Sequence, residues 1–427
     1  LTLLYKEEKL VTFIITIIKL IIILGVVATI HEFGHFLFAK LFKMGVNEFS
    51  IGFGPKIVQK KYKETMYSLR CIPFGGYCAI EGEDGESDSK NSFGSKNVFQ
   101  KVVVLVAGVT FNAILAVIIF LAIAFSFPTY TTKITGFTEN SVLEKAGVAL
   151  GDTIYSINGK KVNLQSELIN QSFDEGVTDV NIEYIHDGKK YETTVEDAVK
   201  NIGYIGISFI IDTNTGIGTN EIEMVAAGGV SANAGLKAGD KITSVNGIQT
   251  ATSNEVVTII REHPNESIDL VIDRNGEIIN RTVETESKPL FDLNITSTEM
   301  VKTTLPLAFY STYDNVKTIV GSYVDLFKGK VGIEDMSGIV GIGEVVSKTN
   351  GILEFFNLMG IISLAVGVAN LMPFPPLDGG KVVIVIGEWI TRKKISPNVE
   401  AIISYIGFGL LIALTLVVTY NDIVRII

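Results

Sequence analysis

The sequence predicts a polytopic α-helical membrane protein of about four transmembrane helices, with a membrane-associated β region and two extracytoplasmic β-rich domains. Three observations carry this. Apolar runs are long enough to cross a bilayer, a broken basic segment follows the first of them, and an acidic stretch between the second and third contains an internal repeat. A mean hydropathy of +0.38 beside 19% charged residues means that the charges are segregated along the chain rather than spread over it.

Residues 20–42, 102–127, 355–371 (extended by its flanks) and 402–418 read as the spans. The first ends in His31, Glu32 and His35 instead of a small-residue cleavage site, so it reads as a retained helix and not as a secretory leader. Lys40, Lys43, Lys56, Lys60, Lys61, Lys63 and Arg70 follow that span, and Arg392, Lys393 and Lys394 precede the last. The positive-inside bias puts both groups in the cytoplasm and residues 129–330 outside. That exterior stretch supplies much of the net charge of -10, which argues against a nucleic-acid partner. Cys71 and Cys78 fall in the cytoplasmic segment, at a spacing that matches no common zinc ligand pair, and read as reduced thiols.

Within the exterior stretch, Ala146-Gly147-Val148, Gly151-Asp152, Ile154 and Asn158-Gly159 recur as Ala234-Gly235-Leu236, Gly239-Asp240, Ile242 and Asn246-Gly247, at a constant offset of 88 residues. Asp187-Gly188 and Asn275-Gly276 keep the offset and carry hairpin chemistry, because these residues tolerate positive φ. The pattern resembles PDZ domains, small β-rich modules that bind peptide ends by strand addition. The chain then divides into a first membrane helix (1–44), a cytoplasmic-side β region (45–97), a second membrane helix (98–128) and PDZ-like domains at 129–211 and 212–298. An amphipathic interfacial helix (299–330) and a C-terminal membrane core (331–427) complete it. The β region, framed by Gly52-Phe53-Gly54-Pro55 and Pro73-Phe74-Gly75-Gly76-Tyr77, suits hairpins dipping into the membrane surface beside protein. The helix carries Leu305, Leu307, Phe309, Val316, Ile319, Val320 and Val324 among polar residues.

His31-Glu32-Phe33-Gly34-His35 sits near the end of the first span. On a helix, residues i and i+4 share a face, so both imidazoles can point at one ion, and Glu32 beside them can take a proton from a coordinated water. Ionisable residues in a span are costly and are functional candidates by default. A catalytic zinc site keeps three protein ligands and one open position. His186 and His263 lie on the outer domains and read as surface residues, so the third ligand should be a carboxylate or another non-His group. Residues 370–380, Asn-Leu-Met-Pro-Phe-Pro-Pro-Leu-Asp-Gly-Gly, break an apolar run with prolines and present Asp378 from unwound chain.

Together these motifs resemble the site-2 protease family of zinc metalloproteases, and the paired repeats point to its bacterial RseP/RasP-type branch. The resemblance implies zinc held by His31, His35 and Asp378, with Glu32 as general base. It implies that Asn112 and Asn370 lie near the site, where an amide holds the substrate backbone or steadies the oxyanion, and that the β region, with Gly54, Gly75 and Gly76, pairs with an unwound substrate helix. The implied function is regulated intramembrane proteolysis of single-span membrane proteins, such as anti-sigma factors or signal-peptide remnants, in the bacterial inner membrane. Val109, where the family often has Pro, and Lys381 after Gly380 depart from its pattern. A transporter with polar residues along a path, or a silent PDZ scaffold, are the competing classes. The first does not explain the joined motifs, and the second would lack Glu32. Finally, Ile205, Gly206 and Ile207 follow the first repeat as a peptide-carboxylate loop, whereas the same offset reaches Leu293, Asn294 and Ile295. The first domain is therefore expected to bind free C-termini better.

Overall fold

The computed structural model describes residues 2–426 apart from 84, 86, 88, 140, 170, 172, 174, 175, 212–217, 227, 329–335 and 350. The chain forms two compact units, residues 1–126 with 311–427, and residues 127–310. Four helices are long and apolar enough to cross a membrane, within Leu10–Leu41, Val98–Ser126, Ile352–Asn370 and Asn398–Val424. They are the four spans expected, each reaching beyond its apolar run in at least one direction.

Helix α1 (Thr2–Leu41) starts well before its apolar run because it contains no proline. Its two glycines mark close approaches: an added Cβ would stand 2.7 Å from Pro73 O at Gly25 and 2.5 Å from Ala107 O at Gly34. Strands β1 (Val46–Tyr62) and β2 (Thr65–Ile80) follow, and their register folds back on itself. The start of β1 pairs with the end of β2 (Ile51↔Gly76) and also with its beginning (Ile51↔Leu69), while the end of β1 pairs outward from there (Lys60↔Tyr67). Four short segments thus lie side by side. Gly52, Gly54 and Gly75 have positive φ where the strands bend, a conformation that favours glycine. Arg70 pins the bend, donating to Ser50 Oγ (3.0 Å), Gly54 O (2.7 Å) and Glu48 Oε1 (2.8 Å). Helix α2 (Val98–Ser126) then crosses beside α1.

The second unit holds both repeats. The first contributes β3 (Thr129–Phe137), α3 (Val142–Lys145), β4 (Thr153–Ile157), β5 (Lys160–Lys161), α4 (Gln165–Ile169), β6 (Val180–His186), β7 (Lys189–Val195) and β8 (Val199–Tyr204). From the second come β9 (Ile207–Ile211), β10 (Gly218–Val225), α5 (Val230–Asn233), β11 (Lys241–Val245), β12 (Ile248–Gln249) and α6 (Ser253–Arg261). The chain continues through β13 (Ser267–Arg274), β14 (Glu277–Glu284), β15 (Glu286–Phe291) and β16 (Ile295–Val301). Asp187-Gly188 and Asn275-Gly276 take positive φ at both positions and close the hairpins as predicted.

The strand order corrects the sequence-based division at 211/212. Strand β9 belongs to the second sheet (β14-β13-β11-β10-β9), and β16 returns to the first (β16-β3-β4-β6-β7). Strands β8 and β15 pair with each other as a two-stranded ribbon between the modules, with Tyr204 opposite Glu286. The second module is therefore inserted into the first. Each core follows this division: Phe291 and Leu293 pack with Ile134, Ile154 and Ile182, and Ile205 packs with Ile222, Ile242 and Ile272. Burying a leucine or phenylalanine side chain contributes about 1.5–3 kcal/mol, so Phe291 and Leu293 hold the returning segment by packing as well as by its ladder. Residue 212, at the predicted boundary, and the predicted helix end at 330 lie outside the described residues.

Helix α7 (Leu305–Phe327) lies within segment 299–330, with Val316 and Ile319 packed and Leu305, Phe309, Val320 and Val324 exposed. Helices α8 (Ile339–Lys348), α9 (Ile352–Asn370), α10 (Asp378–Thr391) and α11 (Pro397–Ile426) complete the membrane unit. Its core joins Ile23 and Val27 of α1, Ala116 and Phe120 of α2, and Met359 and Ile362 of α9. Buried Asp422 of α11 accepts from Gly338 N and Gly341 N (2.9 and 2.8 Å), satisfying free amides at the start of α8.

Candidate metal centre

His31 and His35 lie one turn apart on α1 and are 7% and 8% exposed. Asp378 is the first residue of α10, reached through the Leu371–Leu377 loop, where prolines prevent helix α9 from continuing. Its approach depends on Gly379 and Gly380, where an added Cβ would stand 2.2 Å from Leu371 O and 2.4 Å from Pro375 N. His31 Nε2 lies 2.9 Å from Asp378 Oδ2, His35 Nε2 lies 3.3 Å from the same oxygen, and the two Nε2 atoms are 3.2 Å apart. Zinc bonds of about 2.0–2.1 Å in a tetrahedron give ligand separations of roughly 3.3 Å. The three donors therefore fit one face of a zinc coordination shell and leave the fourth position open.

The surroundings fit as well. His35 Nδ1 lies 2.8 Å from Val104 O, and Asn112 Nδ2 lies 3.4 Å from His31 Nδ1. Such outer partners fix the rings of metal-bound histidines. Glu32 is half-buried, within electrostatic reach of His31, His35 and Asp378. Glu83 is within the same reach and pairs with Lys381 at 2.8 Å, which gives this departure from the family pattern a definite partner.

The predicted residues separate into two groups. His31, His35 and Asp378 come together as the one such His/Cys/Asp/Glu group among the described residues, with Asn112 against His31. Asn370 ends α9, and no hydrogen bond among the described residues joins it to the group. Gly54, Gly75 and Gly76 shape the β1–β2 sheet: an added Cβ at Gly76 would meet Ser50 O at 2.5 Å, and at Gly75 it would meet Phe53 at 2.7 Å. Ile205, Gly206 and Ile207 lead into β9, so this loop opens the second module and not the first as expected, because the strand after it pairs with β10. Sequence reasoning missed Gly108. An added Cβ there would stand 2.5 Å from His35 Nε2 and 2.7 Å from His31 Nε2, so glycine is what lets α2 close over both rings. The available signal was a glycine one helical turn before a buried asparagine in an apolar span.

Two imidazoles and a carboxylate converging beside a glutamate, in a unit of membrane-spanning helices, define a zinc metalloprotease built into a multi-pass membrane protein. The chain belongs to peptidase family M50, whose profile matches residues 19–414. The regulator of sigma-W protease RasP of Bacillus subtilis is 29% identical over 434 residues, covering 97% of this chain and 99% of that one. The zinc metalloprotease RasP of Oceanobacillus iheyensis is 30% identical over 432 residues, covering 96% and 99%. Among solved structures, the HtrA3 PDZ domain bound to a phage-derived ligand is 20% identical, covers 21% of this chain and 91% of its own, and has a TM-score of 0.18.

Proposed function

We propose that this protein is an intramembrane protease that hydrolyses peptide bonds within or near the transmembrane segments of single-span proteins of a bacterial inner membrane. The observation that carries this reading is the buried convergence of His31, His35 and Asp378 beside Glu32 among membrane-spanning helices. His31, His35 and Asp378 hold zinc, which when bound supplies the Lewis acidity that makes water a nucleophile near neutral pH. Glu32 accepts the proton of the attacking water and returns it to the leaving amine. Residues 76–80 pair with β1 along one edge, and the other edge receives the substrate as an added strand. This pairing unwinds the substrate, whose helical peptide bonds are otherwise shielded by their own hydrogen bonds. Gly54, Gly75 and Gly76 give the sheet its bends, and Asn370 steadies the substrate backbone.

The distribution of Lys and Arg supports residues 45–97 and 391–398 as cytoplasmic and both modules as extracytoplasmic. There the Ile205-Gly206-Ile207 loop makes the second module the reader of peptide C-termini, and the pair screens substrates whose outer domain has already been trimmed. The B. subtilis relative's name, regulator of sigma-W protease, supports regulated cleavage of an anti-sigma factor, with signal-peptide remnants as the other substrate class.

Glu32→Gln should leave zinc bound and abolish cleavage, so that proteomics of membrane fractions finds substrates accumulating against the native protein. Retained cleavage would remove Glu32 from its role. Cysteine labelling in intact cells tests orientation: an impermeant reagent should modify exposed position 238 and spare exposed position 60.

A further inference from the structure

The inference rests on the metal centre proposed above and concerns a residue that the sequence reading gave to substrate binding. Asn112 is 0% exposed, its amide nitrogen faces His31 Nδ1 at 3.4 Å, and its Oδ1 has no hydrogen-bond partner among the described residues. Its backbone is fixed, since buried Ser363 donates to its carbonyl at 2.9 Å. Were nitrogen the atom at 3.4 Å, His31 Nδ1 would have to accept, leaving the ring proton on Nε2, 2.9 Å from Asp378 Oδ2. That tautomer cannot bind an ion through Nε2, because the lone pair there is taken up by the proton.

His35 shows what ligation requires. Its Nδ1 faces the carbonyl of Val104 at 2.8 Å, and a carbonyl only accepts, so Nδ1 carries a proton and Nε2 is the nitrogen turned toward Asp378 and His31. His31 meets the same requirement when its proton resides on Nδ1 and an acceptor stands opposite. Asn112 is the side chain at that position, and a half-turn of its carboxamide exchanges nitrogen for oxygen within the same volume.

We propose that Asn112 is a positioning residue of the zinc centre: in the loaded protein its Oδ1 accepts the Nδ1–H of His31 and holds Nε2 toward the ion.

Zinc affinity of the full chain in detergent, measured by chelator competition, tests this independently of activity. Asn112→Leu should weaken zinc about 10–100-fold, the usual cost of losing such an outer partner, and Asn112→Asp, which keeps an acceptor, should hold zinc within about threefold of the native protein or tighter. The leucine effect should vanish in a His31→Ala background. If Asn112→Leu does not fold, Asn112→Ala is read in the same way. Native zinc affinity in Asn112→Leu or Asn112→Ala, with a raised KM, would return Asn112 to substrate binding and overturn the inference. Asp378→Ala separates the two levels, since unaltered zinc binding there would overturn the centre itself.

Discussion

Gly108 sets how closely α2 covers the two histidines, and alanine is the smallest change that reports on it. Overpacking costs about 1–3 kcal/mol, and here the added carbon would meet ring atoms at 2.5–2.7 Å instead of a yielding methyl group. Gly108→Ala should keep the helices and lower zinc affinity at least about tenfold, the scale expected when ligand rings are displaced. Native zinc affinity in that variant would mean that α1 and α2 separate at no cost to the site. A second residue-scale contrast comes from the repeat. Buried Asp152 pairs with His186 at 2.6 Å, and its counterpart Asp240 pairs with Arg274 at 2.7 Å, at the same offset. The hydrogen bond to Asp152, then its charge, raises the pKa of His186, with Asp187 adding to the effect. A raised folded-state pKa stabilises below the unfolded value near 6.5 and is lost as pH climbs through the folded value. Hydrogen exchange should therefore show the first module loosening as pH rises above about 6.5 while the second does not. His186→Arg should abolish that dependence; equal pH responses of the two modules in the native protein would refute it.

At the scale of elements, the legible parts were those whose signal is local. The i, i+4 histidines announce a shared face on one helix, and the prolines before Asp378 announce unwound chain. Gly108 carries only the faint mark of its spacing from Asn112 and Val104 carries none, because their importance arises where two helices far apart in sequence meet. The strand exchange was hidden for a related reason: β9 is adjacent in sequence to both modules, and a constant offset looks the same whichever sheet takes it. Lys381 was noted only as a departure, yet its pairing with Glu83 joins the first turn of α10, which carries Asp378, to the turn after β2. The pair is partly buried, 24% and 15% exposed, so breaking it should cost more than the 0–1 kcal/mol of an exposed pair. Lys381→Glu or Glu83→Lys alone should raise KM several-fold by loosening the sheet against α10. The double exchange should recover most of it, and additive losses in the double variant would show that the pair does not couple these elements.

For the whole molecule, the nested arrangement decides what can be removed. Since Tyr204 and Glu286 are register partners, residues 205–285 can be replaced by an Asn-Gly turn that closes β8 on β15. Limited proteolysis should then find the first module intact and zinc binding unchanged. Conversely, a fragment of residues 130–211 lacks β16, Phe291 and Leu293, and should give a collapsed NMR spectrum; a dispersed one would contradict the assigned topology. The return of β16 to β3 also imposes a timetable on synthesis. As the chain leaves the ribosome, every part of the inserted module is available before residues 295–301 arrive, so the later repeat is complete while the earlier one still presents the bare flank of β3. An unpaired strand flank invites pairing with other chains. The nascent protein is thus most vulnerable during the interval in which its second module is already finished, and chains that have left the ribosome only as far as residue 290 should be cut by protease in β3 and spared in β10–β14.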